Sequence, residues 1–100
     1  MDIEYELRGI RFQWNADKAK ENIEKHGVSF EQAAQIFFDP FLRYEDASFD
    51  EEQRDAAIGC DFDFRVLFVV HMLIEDEFIR IISARKADPA ERKCYEDGND

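Results

Sequence analysis

Apolar and polar residues alternate at the start of the chain. Ile3, Tyr5 and Leu7 are separated by Glu4 and Glu6, and Ile10, Phe12 and Trp14 by Arg11 and Gln13. A period of two predicts half-buried strands. Arg8-Gly9 between them admits two readings, a tight hairpin or one long strand bulged at Gly9. The period then changes. Ala16, Ala19, Ile23 and His26 recur at helical spacing, which predicts a short amphipathic helix over 16–26. Asn15 is its N-cap and Gly27 lies just past its end. Lys18, Asn22 and Lys25 fall toward one side and read as a solvated face. Ser29-Phe30-Glu31-Gln32 is a capping box that opens a second helix over 29–38. That helix buries Phe30, Ala33, Ala34 and Phe37, and Asp39-Pro40 stops it because proline cannot continue the ladder.

Beyond Pro40 the pattern returns to strands. Phe41–Tyr44 predicts a short one, residues 45–55 an acidic loop whose only base is Arg54, and Ala56–Cys60 another strand. Over 64–73, Phe64, Val66, Phe68, Val70 and Met72 share one face, and Arg65, Leu67, Val69 and His71 the other. Glu75-Asp76-Glu77 is a turn into Phe78–Arg85, whose Ile79 and Ile81 oppose Phe78 and Ile82. Apolar groups on both faces predict a middle strand. Asp88-Pro89-Ala90-Glu91 opens a last helix with a cap, a first-turn proline and a box. Tyr95 is its anchor, and Gly98-Asn99-Asp100 is expected to fray. Consecutive strands pair antiparallel. The order therefore predicts an α+β fold, a central antiparallel sheet with two N-terminal helices and one C-terminal helix, its helices kept off one face.

Length and composition narrow the function. One hundred residues read as a single domain, 1–100. No apolar run approaches the roughly 20 residues of a membrane helix, and the acidic start lacks the features of a signal peptide. A cytoplasmic protein without membrane contact is the expectation. Two cysteines, Cys60 and Cys94, and two histidines, His26 and His71, are too few and too scattered for a disulfide framework or a zinc site. Neither a metal nor a cofactor is expected. The net charge of −11 opposes broad, non-specific binding of nucleic acid and suits a basic protein partner. Residues 64–87 are the one segment with more bases than acids, four against three.

No glycine-rich phosphate loop is present. Arg80 and Arg85 sit inside a strand, on opposite parities. Such charges need a carboxylate partner, an open end or an anionic ligand, so a structural ion pair and a phosphate clamp both remain open. With Arg65 and His71 on the neighbouring strand, and His26, Lys25 and Arg54 on flanking elements, the inventory suffices for RNA cleavage without a metal. Arginines would hold the phosphate. His26 at a helix C-terminus suits a general acid, and His71 among apolar neighbours a neutral base. Each histidine also has a plain structural reading, as a helix cap and as a packed core residue.

Several blocks resemble a known family. Phe12-Gln13-Trp14-Asn15, Lys18-Ala19, Asn22 and Lys25-His26-Gly27-Val28-Ser29-Phe30-Glu31 are similar to the N-terminal signature of BrnT-type toxins. Asp39-Pro40, Arg54, Gly59, Arg65, Val69-Val70-His71, Arg80-Ile81-Ile82-Ser83-Ala84-Arg85, Glu91-Arg92 and Tyr95 continue it in order. The resemblance implies a RelE-like fold and a small ribonuclease that inhibits translation. It implies a co-encoded BrnA-like antitoxin with a ribbon-helix-helix domain, through which the complex would reach operator DNA. Residue by residue it implies Arg65, His71, Arg80, Arg85 and His26 as catalytic, and Lys25, Arg54 and Tyr95 as RNA-binding. The chain departs from the family at Phe64, where glycine is frequent, and at Met72-Leu73-Ile74, where the family places a polar run. That apolar run reads as an exposed turn that would contact the antitoxin. A second reading is a catalytically weak domain that holds its antitoxin and acts in transcriptional autoregulation.

Overall fold

The computed structural model describes residues 1–46 and 54–98. Its first two strands, β1 (Asp2–Leu7) and β2 (Ile10–Asn15), form a hairpin in which Leu7 pairs with Ile10. Arg8 and Gly9 both have positive φ, 49° and 86°, as a two-residue turn of matching twist requires. The bulged-strand alternative is therefore excluded. Helix α1 (Ala16–His26) follows at once. Asn15 accepts from the backbone of Asp17 and Lys18, and Gly27 closes the helix. Helix α2 (Phe30–Gln35) carries the expected Ser29–Gln32 box, then tightens into a 3₁₀ turn over Ile36–Phe38.

Four strands come next: β3 (Arg43–Asp46), β4 (Asp55–Cys60), β5 (Val66–Ile74) and β6 (Phe78–Lys86). The first begins two residues later than the pattern suggested. The Asp39 carboxylate accepts from the Phe41 amide and the Asp39 carbonyl from Leu42, so a turn occupies 39–42. Gly59 lets β4 approach the 3₁₀ turn, since a Cβ there would stand 3.1 Å from the Ile36 side chain. Most of the predicted acidic loop, residues 47–53, lies outside the described residues, as do Asn99 and Asp100 of the expected frayed end.

The six strands form one sheet in the order β1-β2-β6-β5-β4-β3. All neighbours are antiparallel except β2 and β6, which run parallel through Phe12–Ile79 and Gln13–Arg80. The sheet is thus mixed. An antiparallel hairpin and an antiparallel meander meet along one parallel seam, which sequential pairing alone does not foresee.

One face, here the inner face, carries Phe12, Trp14, Leu67, Val69, Ile81 and Ala84, which are buried with Val28, Phe30, Ala33, Ala34 and Ile36 of the helical layer. Trp14 meets Phe30 edge-on with centroids 5.8 Å apart, and Phe12 lies 5.7 Å from Phe37. The outer face is not bare. Helix α3 (Pro89–Glu96) packs against its β4 side, where Ile58 and Ala56 are buried. Its Cys94 donates to Glu45, and its Glu91 pairs with Arg85. Helices therefore stand on both faces, against the expectation that one is kept clear.

The short pairing of β2 with β6 has a consequence. Past Arg80 the β6 edge has no strand beside it among the described residues, and Asn22 of α1 takes the place of one. Its side chain accepts from the Ala84 amide at 3.1 Å and donates to the carbonyls of Ala84 and Val28 at 2.7 and 2.9 Å. Asn22 is buried, not part of a solvated face, because its amide side chain gives two hydrogen bonds and receives one at the strand edge.

Candidate functional site

The β5–β6 register contains a bulge. Met72 pairs with Arg80 and His71 with Ile81, but Val70 then pairs with Ser83 and Phe68 with Arg85. Ile82 is the extra residue, and it reverses the parity beyond it. Arg80 and Arg85, expected on opposite faces, both lie on the outer face beside Met72 and Phe68. Ser83 lies between them.

Each arginine has a carboxylate. Arg80 donates to both oxygens of Asp2 at 3.2 Å and to Gln13 at 2.6 Å. Its hydrogen bonds hold the Asp2 carboxyl below the usual range. Arg85 grips Glu91 with two bonds of 2.7 and 2.8 Å, its guanidinium 4.4 Å from the Phe68 ring centre. Hydrogen bonding to Glu91 raises the pKa of Arg85 further. Both pairs remain partly open to solvent. Arg65 stands apart. It precedes β5, in a loop where Phe64 has a φ of 64°, so neither residue belongs to the strand. Its Nε donates to the buried Asp61 carboxylate at 2.9 Å, which also accepts from the Arg65 amide.

The two histidines are on different sides. His71 is 6% exposed on the inner face, edge-on to Phe37 at 5.0 Å and near Tyr44 at 6.0 Å. Burial pushes its pKa down, and the Val69 backbone and the Asp55 charge oppose this less strongly. It does not share a face with Arg80 and Arg85. His26 is exposed at the end of α1. With Lys18, Glu21, Asn22 and Lys25 it lines a cleft of about 170 Å³ closed by Ile82 and Ser83 of β6. That cleft lies at the β6 edge beside the outer-face arginines. Sequence reasoning found Lys25 and His26 there but missed Lys18, Glu21 and Ser83. The helical spacing of 18, 21, 22 and 25 was the available signal, and the bulge at Ile82 had none.

The remaining candidates are placed elsewhere. Tyr95 donates to Asp39 at 2.5 Å, and burial followed by this bond pushes its hydroxyl pKa far up. The Asp39 carboxylate stays below its ordinary range despite partial burial, because Tyr95 and the amides of Cys60 and Phe41 all donate to it. This knot ties α3 to the end of β4. Arg54 is half-buried just before β4 and already engaged within the chain. Met72, Leu73 and Ile74 are not a turn. They end β5, and the turn is at Glu75 and Asp76, whose φ values are 54° and 56°. Of the three, Leu73 is the one that is largely exposed, at 57%. Among the described residues no group of three or more His, Cys, Asp or Glu is placed to hold a metal ion. No helix among them is long and apolar enough to cross a membrane.

The family model described as "Ribonuclease toxin, BrnT, of type II toxin-antitoxin system" matches residues 14–91. The chain belongs to the BrnT toxin family. The match takes in α1, α2 and all four strands of the meander, with both arginines and the α1 cleft. The crystal structure of the Brucella abortus ribonuclease toxin BrnT is similar at a TM-score of 0.61 and 25% sequence identity, over 75% of this chain and 92% of that one. No curated protein sequence matches. The BrnT fold here is thus an α+β domain with a six-stranded mixed sheet and three helices.

Proposed function

We propose that this BrnT-family chain cleaves RNA on the outer face of β6 and is neutralised by a co-encoded antitoxin. The observation that carries the reading is that the family match spans a face where Arg80 and Arg85 flank Ser83 beside the α1 cleft. Both arginines can exchange part of a solvent-open carboxylate contact for a phosphate, which they bind with the same fork geometry. Glu21 takes the proton of an RNA 2′-hydroxyl. The 2′-oxygen attacks the adjacent phosphorus, the bond from phosphorus to the 5′-oxygen breaks, and His26 gives that oxygen its proton. The products are a 2′,3′-cyclic phosphate and a 5′-hydroxyl. The arginines, with Lys18 and Lys25 close by, stabilise the charge that grows on the phosphate. His71 is a core residue in this reading. The fold is taken as RelE-like, the cleavage as metal-independent, and its consequence as inhibition of translation in the cytoplasm. The antitoxin is a BrnA-like ribbon-helix-helix protein that brings the complex to operator DNA.

One observation favours a second reading. Arg65, Arg80 and Arg85 each already hold a carboxylate. A chain whose arginines never leave those partners would be a catalytically weak domain that binds its antitoxin and acts in autoregulation. Leu73 at the sheet end would then be part of the contact. Expression of the chain alone and with the adjoining gene product, scored by growth, tests the toxin reading. Arrest by the chain alone and rescue by the pair is expected; normal growth with soluble, folded protein present overturns it.

A further inference from the structure

Phe64 is 84% exposed, the most exposed phenylalanine among the described residues, and is held at a φ of 64° where side chains are rarely found. An exposed ring in a left-handed conformation costs free energy twice, in hydration and in backbone strain. It lines a cleft of about 260 Å³ with Arg65, Val66, Lys86, Ala87 and Arg92. Three of those six are cations, in a chain of net charge −11.

The cations retain binding capacity. Lys86 has no ion pair among the described residues. Arg92 reaches Glu96 only at 3.7 Å, with both side chains mostly exposed. Arg65 gives its Nε to Asp61 and its Nη2 is buried without a hydrogen-bond partner among the described residues, while the side chain as a whole remains 30% exposed. Buried Asp61 fixes the guanidinium, so little freedom remains to be lost on binding. The platform also continues the proposed site. Val66 and Phe68 are successive outer-face residues of β5, and Phe68 carries Arg85 over its ring.

We propose that this cleft is a subsite for single-stranded RNA, in which one base stacks on Phe64 and the adjoining phosphate is held by Lys86, Arg92 and Arg65. A flat ring beside cations is the arrangement that binds unpaired nucleotides whatever their sequence. The inference rests on the ribonuclease reading and adds a place where the strand is held outside the cleavage site. An acidic protein segment would also meet the cations but would gain nothing specific from a flat ring.

The test is fluorescence anisotropy with a labelled 2′-O-methyl oligonucleotide, which binds but cannot be cleaved, alongside cleavage of the matching RNA. The proteins are the parent, Phe64→Leu, Phe64→Trp, Lys86→Gln and Arg92→Gln, each shown to be folded. Phe64→Leu is expected to weaken binding about tenfold or more, the loss of one base–ring stack, and Phe64→Trp to retain it. Each cation variant should lower the slope of log affinity against log salt by about 0.7. Parental affinity and salt slope in all four, with the parent still cleaving, overturns the subsite and leaves the ribonuclease reading intact. Phe64-dependent binding by a parent that does not cleave sustains the subsite and sinks the ribonuclease. A Phe64→Leu protein that loses its antitoxin but keeps the oligonucleotide shows a protein-docking surface and overturns the proposal.

Discussion

Arg80 and Arg85 are an odd number of residues apart, yet they share one face of the sheet, because Ile82 is bulged out between them. Without the bulge Arg85 would point into the helical layer with Leu67 and Val69. With it, both guanidiniums line the outer face on either side of Ser83. A strand bulge of this kind turns the side chains beyond it to the opposite face at the cost of one ladder position.

Asn22 holds the strand edge that this geometry leaves open. Asn22→Leu keeps the branched shape but abandons the amide and carbonyl of Ala84 and the carbonyl of Val28. Each buried group left unsatisfied costs about 1–3 kcal/mol, so the loss should be at least about 3 kcal/mol by urea denaturation. A loss below about 1 kcal/mol would mean that water reaches this edge in the folded state.

The strain at Phe64 gives a prediction of the opposite sign. A left-handed side-chain residue costs about 1–2 kcal/mol, and glycine returns part of that through the entropy of the unfolded chain. Phe64→Gly should therefore raise stability by about 1 kcal/mol while weakening oligonucleotide binding. A variant less stable than the parent would show that the ring is held by contacts the exposed position does not provide.

His71 makes stability depend on pH. Its pKa in the folded chain is depressed, so the unfolded chain takes up the proton first as pH falls. Stability from this group is complete above the unfolded value near 6.5 and is lost as pH drops toward the folded one. The melting temperature should fall between pH 7.5 and 5.5, and His71→Phe should flatten that dependence. Equal slopes for the two proteins would exclude His71 as its source.

The hydroxyl of Tyr95 fastens α3 to the charged Asp39. Tyr95→Phe removes one bond to an ion, worth about 1.5 kcal/mol where the site is partly exposed. RNA cleavage should persist, since the ring and α3 remain. A fall in turnover of tenfold or more in a folded variant would instead return Tyr95 to the RNA site.

Elements whose signals are local were legible in the sequence. Asn15, Ser29 and Asp88 announced three helices, and Arg8-Gly9 offered a hairpin as one of two readings. What depended on pairing was not. The parallel seam of β2 with β6, the bulge at Ile82 and the placement of α3 arise from contacts between distant segments. The site shows the same division. His26 and Lys25 stood out by residue type, whereas nothing local in the sequence showed that Phe37 and Tyr44 enclose His71 on the inner face. Arg65 read as a strand residue because alternation continued through Phe64, although the strand begins only at Val66.

The most direct test is cleavage of RNA by the purified, folded protein in the presence of a chelator, under single-turnover conditions. The parent is compared with Arg80→Gln and Arg85→Gln. The parent should release fragments ending in 2′,3′-cyclic phosphate, and each variant should be slower by about 100-fold or more, the usual cost of one preorganised donor. Intact RNA after incubation with the parent, or parental rates in both variants, would contradict cleavage on the outer face of β6.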